Sequence, residues 1–83
     1  QDPSPKIRSC VIKALPMILG KDSIKILENF LKDINWWVRF QAALGLNSFG
    51  DIGKHILLNQ EKEGNELAYE VAKYALSLPP ERQ

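Results

Sequence analysis

The pattern of residues 7–18 returns at residues 38–49, and that recurrence constrains the fold more than any other feature of the chain. At a shift of 31, Ile7-Arg8 falls on Val38-Arg39, Val11-Ile12 on Ala42-Ala43, Ala14-Leu15 on Gly45-Leu46 and Ile18 on Phe49. At a shift of 30, Gly20 falls on Gly50 and Leu27 on Leu57. The unit that recurs is a long helix, a glycine turn and a second helix. A unit of this size cannot bury its apolar face alone, so such units stack and share one continuous core.

Punctuation along the chain predicts five helices and no sheet, because no window alternates at period two over a strand's length. Ser4 as cap and Pro5 at the first helical position open a helix to about Leu19, whose stripe is Ile7, Val11, Ala14, Leu15 and Ile18. Asp22 or Ser23 caps a shorter second helix to about Asp33, with Ile24, Leu27, Leu31 and Ile34 on one face and Ile26 and Phe30 beside them. Asn35 caps a third through Phe49, facing inward with Val38, Ala42, Leu46 and Phe49, and Gly50 stops it. A fourth runs from Asp51 to about Lys62. After Gly64 and Asn65, a fifth carries Leu67, Ala68, Val71, Ala72, Ala75 and Leu78 until Pro79 and Pro80 forbid continuation. Two residues work against their helices. Pro16 removes a bond to the carbonyl of Ile12 and should bend the first helix, and Gly45 costs about 1 kcal/mol against Ala unless a neighbour uses its space. Alanines at 14, 42, 43 and 72 mark a seam of close helix approach.

Asp2 precedes Arg8 by six residues, and Asp33 precedes Arg39 by the same six. An Asp in each turn between units can meet an Arg in the first turn of a long helix, fixing one unit on the next by a charge-assisted contact. The fifth helix, at a shift of about 29, has Lys62 and Ala68 there and so reads as a divergent half-repeat. This spacing, the Val-Arg and Ala-Ala doublets, the proline in one long helix and the glycine turn resemble HEAT repeats, in the short bacterial form also found in phycobilin-lyase-type proteins. Residues 35–43, Asn-Trp-Trp-Val-Arg-Phe-Gln-Ala-Ala, carry the resemblance most closely. Two departures bear on curvature: Val11-Ile12 stands where small residues are expected, and Pro16 has no counterpart in the second unit. The expected architecture is an all-α solenoid of antiparallel helix pairs in one domain over 1–83, with repeats at about 4–33 and 35–63 and a half-repeat at about 65–78. The chain opens on Gln1, and a fragment of a longer protein is expected.

Composition excludes several classes of function. Eighty-three residues, 45% apolar and 25% charged, are globular in proportion and too few for a multidomain enzyme. The net charge of +1, split into +3 over residues 1–41 and −2 over 42–83, lacks the basic excess of a nucleic-acid domain. A single cysteine, Cys10, forms no intramolecular disulfide, which points to a reducing, cytoplasmic setting. No apolar run reaches the roughly 18 residues that cross a bilayer.

Lys25, Glu28, Asn29 and Lys32 stand at i, i+3, i+4 and i+7 on the second helix, and His55, Leu58, Asn59 and Lys62 take the same places thirty residues later. Stacked units would set these rows side by side. The HEAT resemblance implies that the second helices line the concave, ligand-facing surface, which makes the double row the candidate binding face. The competing reading is a solvated face with Glu28 and Lys32 paired at i, i+4. Trp36 and Trp37 point about 100° apart, so one is expected in the core and the other against a neighbouring repeat or exposed as an interaction anchor, with Trp36 counted among the binding residues. Cys10 reads as a small buried hydrophobe, His55 as a surface hydrogen-bonding group, and Tyr69 and Tyr74 as amphipathic cover.

Catalytic and cofactor chemistry is missing its parts. One His and one Cys, 45 residues apart, make no zinc site. Gly53-Lys54 resembles the end of a phosphate loop, but His55 replaces the hydroxyl residue and Ser48 the first glycine. Gly50-Asp51-Ile52-Gly53 has the form of an RNA-clamping loop without the strands that accompany it. No nucleophile, base and acid occur as a set. A non-catalytic scaffold for a protein partner, without cofactor, is therefore the leading expectation. Two alternatives stay open: nucleic-acid backbone binding through Lys25, Lys32, Lys54 and Lys62, and an accessory role in an enzyme, implied by the bilin-lyase relatives alone. The fifth helix is expected to leave Leu67, Val71 and Tyr74 uncovered, to be met by further sequence or by self-association.

Overall fold

The computed structural model describes residues 4–77, so the predicted roles of Asp2, Leu78, Pro79 and Pro80 lie outside the described residues. In chain order it has α1 (Pro5–Leu19), a 3-10 turn (Gly20–Ser23), α2 (Ile24–Phe30), α3 (Trp36–Asn47), α4 (Asp51–Leu58), α5 (Gln60–Glu63) and α6 (Glu66–Leu76). No strand occurs among the described residues.

The starts of the long helices are where side chains predict them. Ser4 Oγ accepts the amide of Ile7 at 3.3 Å, Asn35 Oδ1 accepts those of Trp37 and Val38 at 2.9 and 3.2 Å, and Asn65 Oδ1 accepts that of Ala68 at 2.9 Å. Each satisfies amides that a helix leaves without a partner in its first turn. The two turns inside the helix pairs close on Gly20 and Gly50, at φ 57° and 73°, a region that side-chain-bearing residues rarely occupy.

Other boundaries differ from expectation for local reasons. Neither Asp22 nor Ser23 caps α2: Ser23 Oγ turns back to the carbonyl of Gly20 at 2.7 Å, the 3-10 turn leads directly into the helix, and α2 ends three residues before Asp33. α3 gives way to turn at Ser48, short of Phe49. The single fourth helix is two, because Asn59 (φ −78°, ψ −8°) closes α4 and α5 restarts beyond it.

α3 is the centre of the molecule, packed by α1, α2, α4 and α6. That position explains why it buries Val38, Arg39, Gln41, Ala42, Ala43, Leu46 and Asn47, a set too wide for one stripe. Ile12, Leu27, Leu31, Leu57, Val71 and the alanines of α6 complete the core around it. Small residues set the close approaches. A Cβ on Gly45 would stand 3.2 Å from Leu27 Cδ1, so α2 uses the space the glycine leaves, and a Cβ on Gly53 would run into the backbone carbonyl of Leu46. Gly53 is therefore the α3–α4 contact residue and not part of a phosphate or RNA loop.

The predicted inward stripe of α1 is overturned. Its buried residues are Ser9 and Ile12, with Leu15 half-buried, whereas Ile7, Val11 and Ile18 are exposed and Ala14 is intermediate. α3 lies on the Ile12 side, so the more apolar side faces outward. Cys10 shares that displacement and is exposed, not buried. Ile34 is exposed in the turn after α2 instead of closing its stripe. At the other end Val71 is buried, while Leu67 and Tyr74 are about half exposed.

Candidate functional site

The double row predicted for binding sits on α2 and on α4 with its continuation α5. Lys25, Asn29 and Lys32 are exposed and Glu28 is half-buried; His55, Leu58 and Lys62 are exposed and Asn59 is half-buried. The same backbone bond recurs at the two places, just past α2 and at the start of α5. The amide of Lys32 donates to the carbonyl of Asn29 at 3.2 Å, and the amide of Lys62 to that of Asn59 at 3.1 Å, so each carries the same Asn–Lys turn thirty residues apart. α2 and α4 are not packed on one another to any extent; each reaches the other through α3. The rows are thus presented by the same central helix and do not form one contiguous contact.

No ion pair or side-chain hydrogen bond engages the row among the described residues, and Glu28 and Lys32 are not paired. Leu58, and Ile52 on the adjoining side of α4, add exposed aliphatic surface to it. A face of free cations, amides and scattered aliphatic groups can take both the polar backbone and the apolar side chains of a partner.

Trp36 is held elsewhere. Its ring stacks on Phe40 at 5.1 Å and 15°, and lies 6.4 Å from Trp37 and 6.0 Å from Tyr74 of α6. Phe40 in turn meets Trp37 at 5.6 Å and Tyr74 at 5.4 Å. Neither tryptophan enters the core: they are 47% and 48% exposed, which corrects the expectation that one would be buried. The spacings 36/40 and 37/40 could have revealed the α3 part of this cluster, but Tyr74 joins it from another helix and leaves no mark in local sequence. Tyr69 is covered by its neighbour Lys73, whose Nζ lies 5.1 Å from the ring centroid.

The Asp33 carboxylate is met by Arg8 of the same repeat and not by Arg39 at the six-residue spacing. Arg8 Nε and Nη2 donate to the two carboxylate oxygens of Asp33 at 2.8 and 3.0 Å, tying α1 to the turn before α3. Asp33 Oδ1 also accepts the amide of Asn35 at 2.9 Å, while Arg39 turns to the carbonyls of Asp33 and Ile34 at 2.8 and 3.1 Å. Burial pushes the Asp33 carboxyl up, but the Arg8 hydrogen bond, the Asn35 amide and the charges of Arg8 and Arg39 outweigh it and hold the group below the ordinary carboxylate range.

Pro16 and Gly45, both costly in their helices, meet across one groove between α1 and α3. With Ile12, Lys13, Gln41, Leu44 and Ser48 they line about 280 Å³. No group of three or more metal-ligating side chains occurs among the described residues, and no helix there is long and apolar enough to cross a membrane. His55 is exposed on the row.

Compared with curated proteins and with solved structures, the chain has no match. A family model for HEAT repeats matches residues 1–61, which include both Asp–Arg spacings and all of α1 to α4. With helix pairs stacked on a central long helix and most of its length matched, the chain belongs to the HEAT-repeat family.

Proposed function

We propose that this HEAT-repeat chain is a non-catalytic protein-binding module of the cytoplasm, which takes a segment of a partner protein along Lys25, Glu28, Asn29 and Lys32 of α2 and His55, Leu58, Asn59 and Lys62 of α4 and α5. HEAT repeats commonly mediate protein–protein interaction. The observation that carries the reading to these residues is the Asn–Lys hydrogen bond repeated thirty residues apart, just past α2 and at the start of α5, with row side chains that make no hydrogen bond or ion pair among the described residues. Such groups break no internal side-chain hydrogen bond when a partner arrives, so their hydrogen-bonding capacity is available to it. Trp36 lies in the aromatic cluster and serves as a second anchor, since half-exposed aromatic rings already fixed by neighbours bind at small entropic cost.

The test compares the chain with a variant carrying Lys25→Ala, Asn29→Ala, Asn59→Ala and Lys62→Ala. Each is immobilised at equal density, and retained proteins are quantified. Because the four side chains make no hydrogen bond or ion pair among the described residues, the circular dichroism and melting midpoint of the variant should stay close to those of the parent. A partner retained at least ~10-fold less by the variant, a loss of about 1.4 kcal/mol, supports the assignment. Equal retention by both proteins rejects it.

A further inference from the structure

The two helices that wall the groove between α1 and α3 contain no acidic residue. Over Pro5–Leu19 and Trp36–Asn47 the charged groups are Lys6, Arg8, Lys13 and Arg39, all of them cations. Arg8 is met by the carboxylate of Asp33, and Arg39 by the carbonyls of Asp33 and Ile34. Lys13, which lines the groove, is exposed and makes no hydrogen bond or ion pair among the described residues. The groove therefore carries an unanswered positive charge at its edge and no negative charge on either wall, a field that favours an anion.

The α3 wall adds a second unmet group. Gln41, Leu44, Gly45 and Ser48 stand at i, i+3, i+4 and i+7, on the one side of α3 that lines the groove. Gly45 is accounted for by the methyl groups of Leu27, and the Ser48 hydroxyl donates to the carbonyl of Gly45 at 2.6 Å. Gln41 is not accounted for: it is 7% exposed, yet its carboxamide makes no hydrogen bond among the described residues. A covered amide without a partner works against folding, so its place here is explained by a ligand and not by the core. Across from it, Pro16 has no N–H to give to the carbonyl of Ile12. Pro16, Ile12 and Leu44 supply apolar surface between the polar groups.

We propose that this groove seats the carboxy-terminal residue of a partner polypeptide, with an apolar side chain against Pro16, Ile12 and Leu44, the last peptide unit on the Gln41 carboxamide and the terminal carboxylate on Lys13. A carboxamide donates and accepts, and so does a peptide unit, whereas the alkyl chain of a fatty acid offers it nothing. An internal acidic side chain brings the charge but leaves the apolar wall unfilled. The volume of about 280 Å³ lies just under the ~300 Å³ at which pockets begin to enclose whole drug-sized ligands, and it suits one residue at the end of a chain. The site lies on α1 and α3, apart from the α2–α4 row, and does not depend on the function proposed for that row.

Three probes test it by titration into the isotope-labelled 83-residue chain, followed through its backbone amide resonances. They are acetyl-Gly-Gly-Leu with a free carboxylate, the same peptide as its carboxamide, and octanoate. The free-carboxylate peptide is expected to shift the amides of Lys13, Met17, Gln41 and Leu44 saturably, with a Kd of about 1 mM for so few seated atoms. The carboxamide, without the charge that Lys13 meets, and octanoate, without a peptide unit for Gln41, should each bind at least ~5-fold more weakly. Lys13→Gln, at an exposed position, should remove the preference for the free carboxylate and leave the melting midpoint where it was. Gln41→Met should weaken the peptide at least ~5-fold with a midpoint unchanged or higher, which a merely structural glutamine would not give. The variant with Lys25, Asn29, Asn59 and Lys62 changed to Ala should bind the peptide as the parent does. No saturable shift at the groove by ~10 mM, or equal binding of acid and carboxamide, overturns the proposal. Octanoate bound as tightly as the peptide assigns the groove to free acids, and loss of the peptide in the row variant assigns it to the row; either result overturns the proposal too. Should Gln41→Met fail to fold, Lys13→Gln and the three probes decide.

Discussion

The apolar stripes of α1 and α3 share a register, and one faces outward while the other lies at the centre of the core. Helix periodicity is identical in the two, so it predicts that a stripe exists without saying which neighbour covers it. In a stack, burial is a property of position: a long helix needs one side for the pair before it and another for the pair after it. α3 has both neighbours, and its buried residues spread around most of its circumference. Among the described residues α1 packs only on the later one, and Ile12 rather than Val11 enters the core. The α1 stripe is therefore exposed because no helix among the described residues packs on it.

The sharpest way to break this comparison is to place one charge at both members of a matched pair. Val38→Lys buries an ammonium group in the core and should cost more than about 4 kcal/mol, leaving much of the chain unfolded in water. Ile7→Lys should stay within about 0.5 kcal/mol, because its site is already wet. Urea titrations followed by far-ultraviolet circular dichroism read both, and equal losses would mean that the stripes are not in different surroundings.

A smaller effect separates the two places where the second helices begin. At a shift of 30, Gly53 corresponds to Ser23, and both are buried. Gly53→Ala drives a methyl group into the carbonyl of Leu46 and should cost about 3 kcal/mol, within the range for overpacking a tight contact. Ser23→Ala removes only the hydroxyl bond to Gly20 and should cost about 1 kcal/mol. If the order is reversed, α4 does not approach α3 more closely than the first pair's turn is held.

The joint between the units should yield the smallest of the three effects in neutral solution and the one most sensitive to acid. Replacing Asp33 by Asn removes a carboxylate that Arg8 grips with two nitrogens, a loss of about 2 kcal/mol at pH 7. Because the carboxyl of Asp33 is held below its unfolded value of about 3.9, its contribution is complete well above that pH and is lost as pH falls through the lower folded value. The difference in stability between parent and Asp33→Asn should therefore shrink below about pH 4. A difference that stays constant from pH 7 to pH 3 would mean that the Arg8 contact contributes no charge-dependent stability.

The helix starts were legible because the capping groups are local: Ser4, Asn35 and Asn65 each act within three residues. The family was legible because repeat period and doublets survive without any knowledge of contacts. What escaped the sequence was non-local. Asp33 is equally spaced for a pairing with Arg39, yet only the fold brings Arg8, 25 residues earlier, to its carboxylate. Cys10 and the α1 stripe differ from expectation because exposure depends on which neighbours exist, and the close approach at Gly53 leaves no composition signal. The two halves of the proposed row are set apart, since Asn59 breaks the second helix and α3 stands between them. Trp36 was singled out for its size; its partner Tyr74 could be found only once α6 was placed.

The aromatic cluster has a spectroscopic consequence. The chain has two tryptophans, and both lie on α3 beside Phe40, one of them next to Tyr74 of α6. Intrinsic emission therefore watches the joint between the second long helix and the last one. A fluorescence trace that departs from the helical signal during unfolding would time the release of the carboxy-terminal half against the amino-terminal half, with no label added to either.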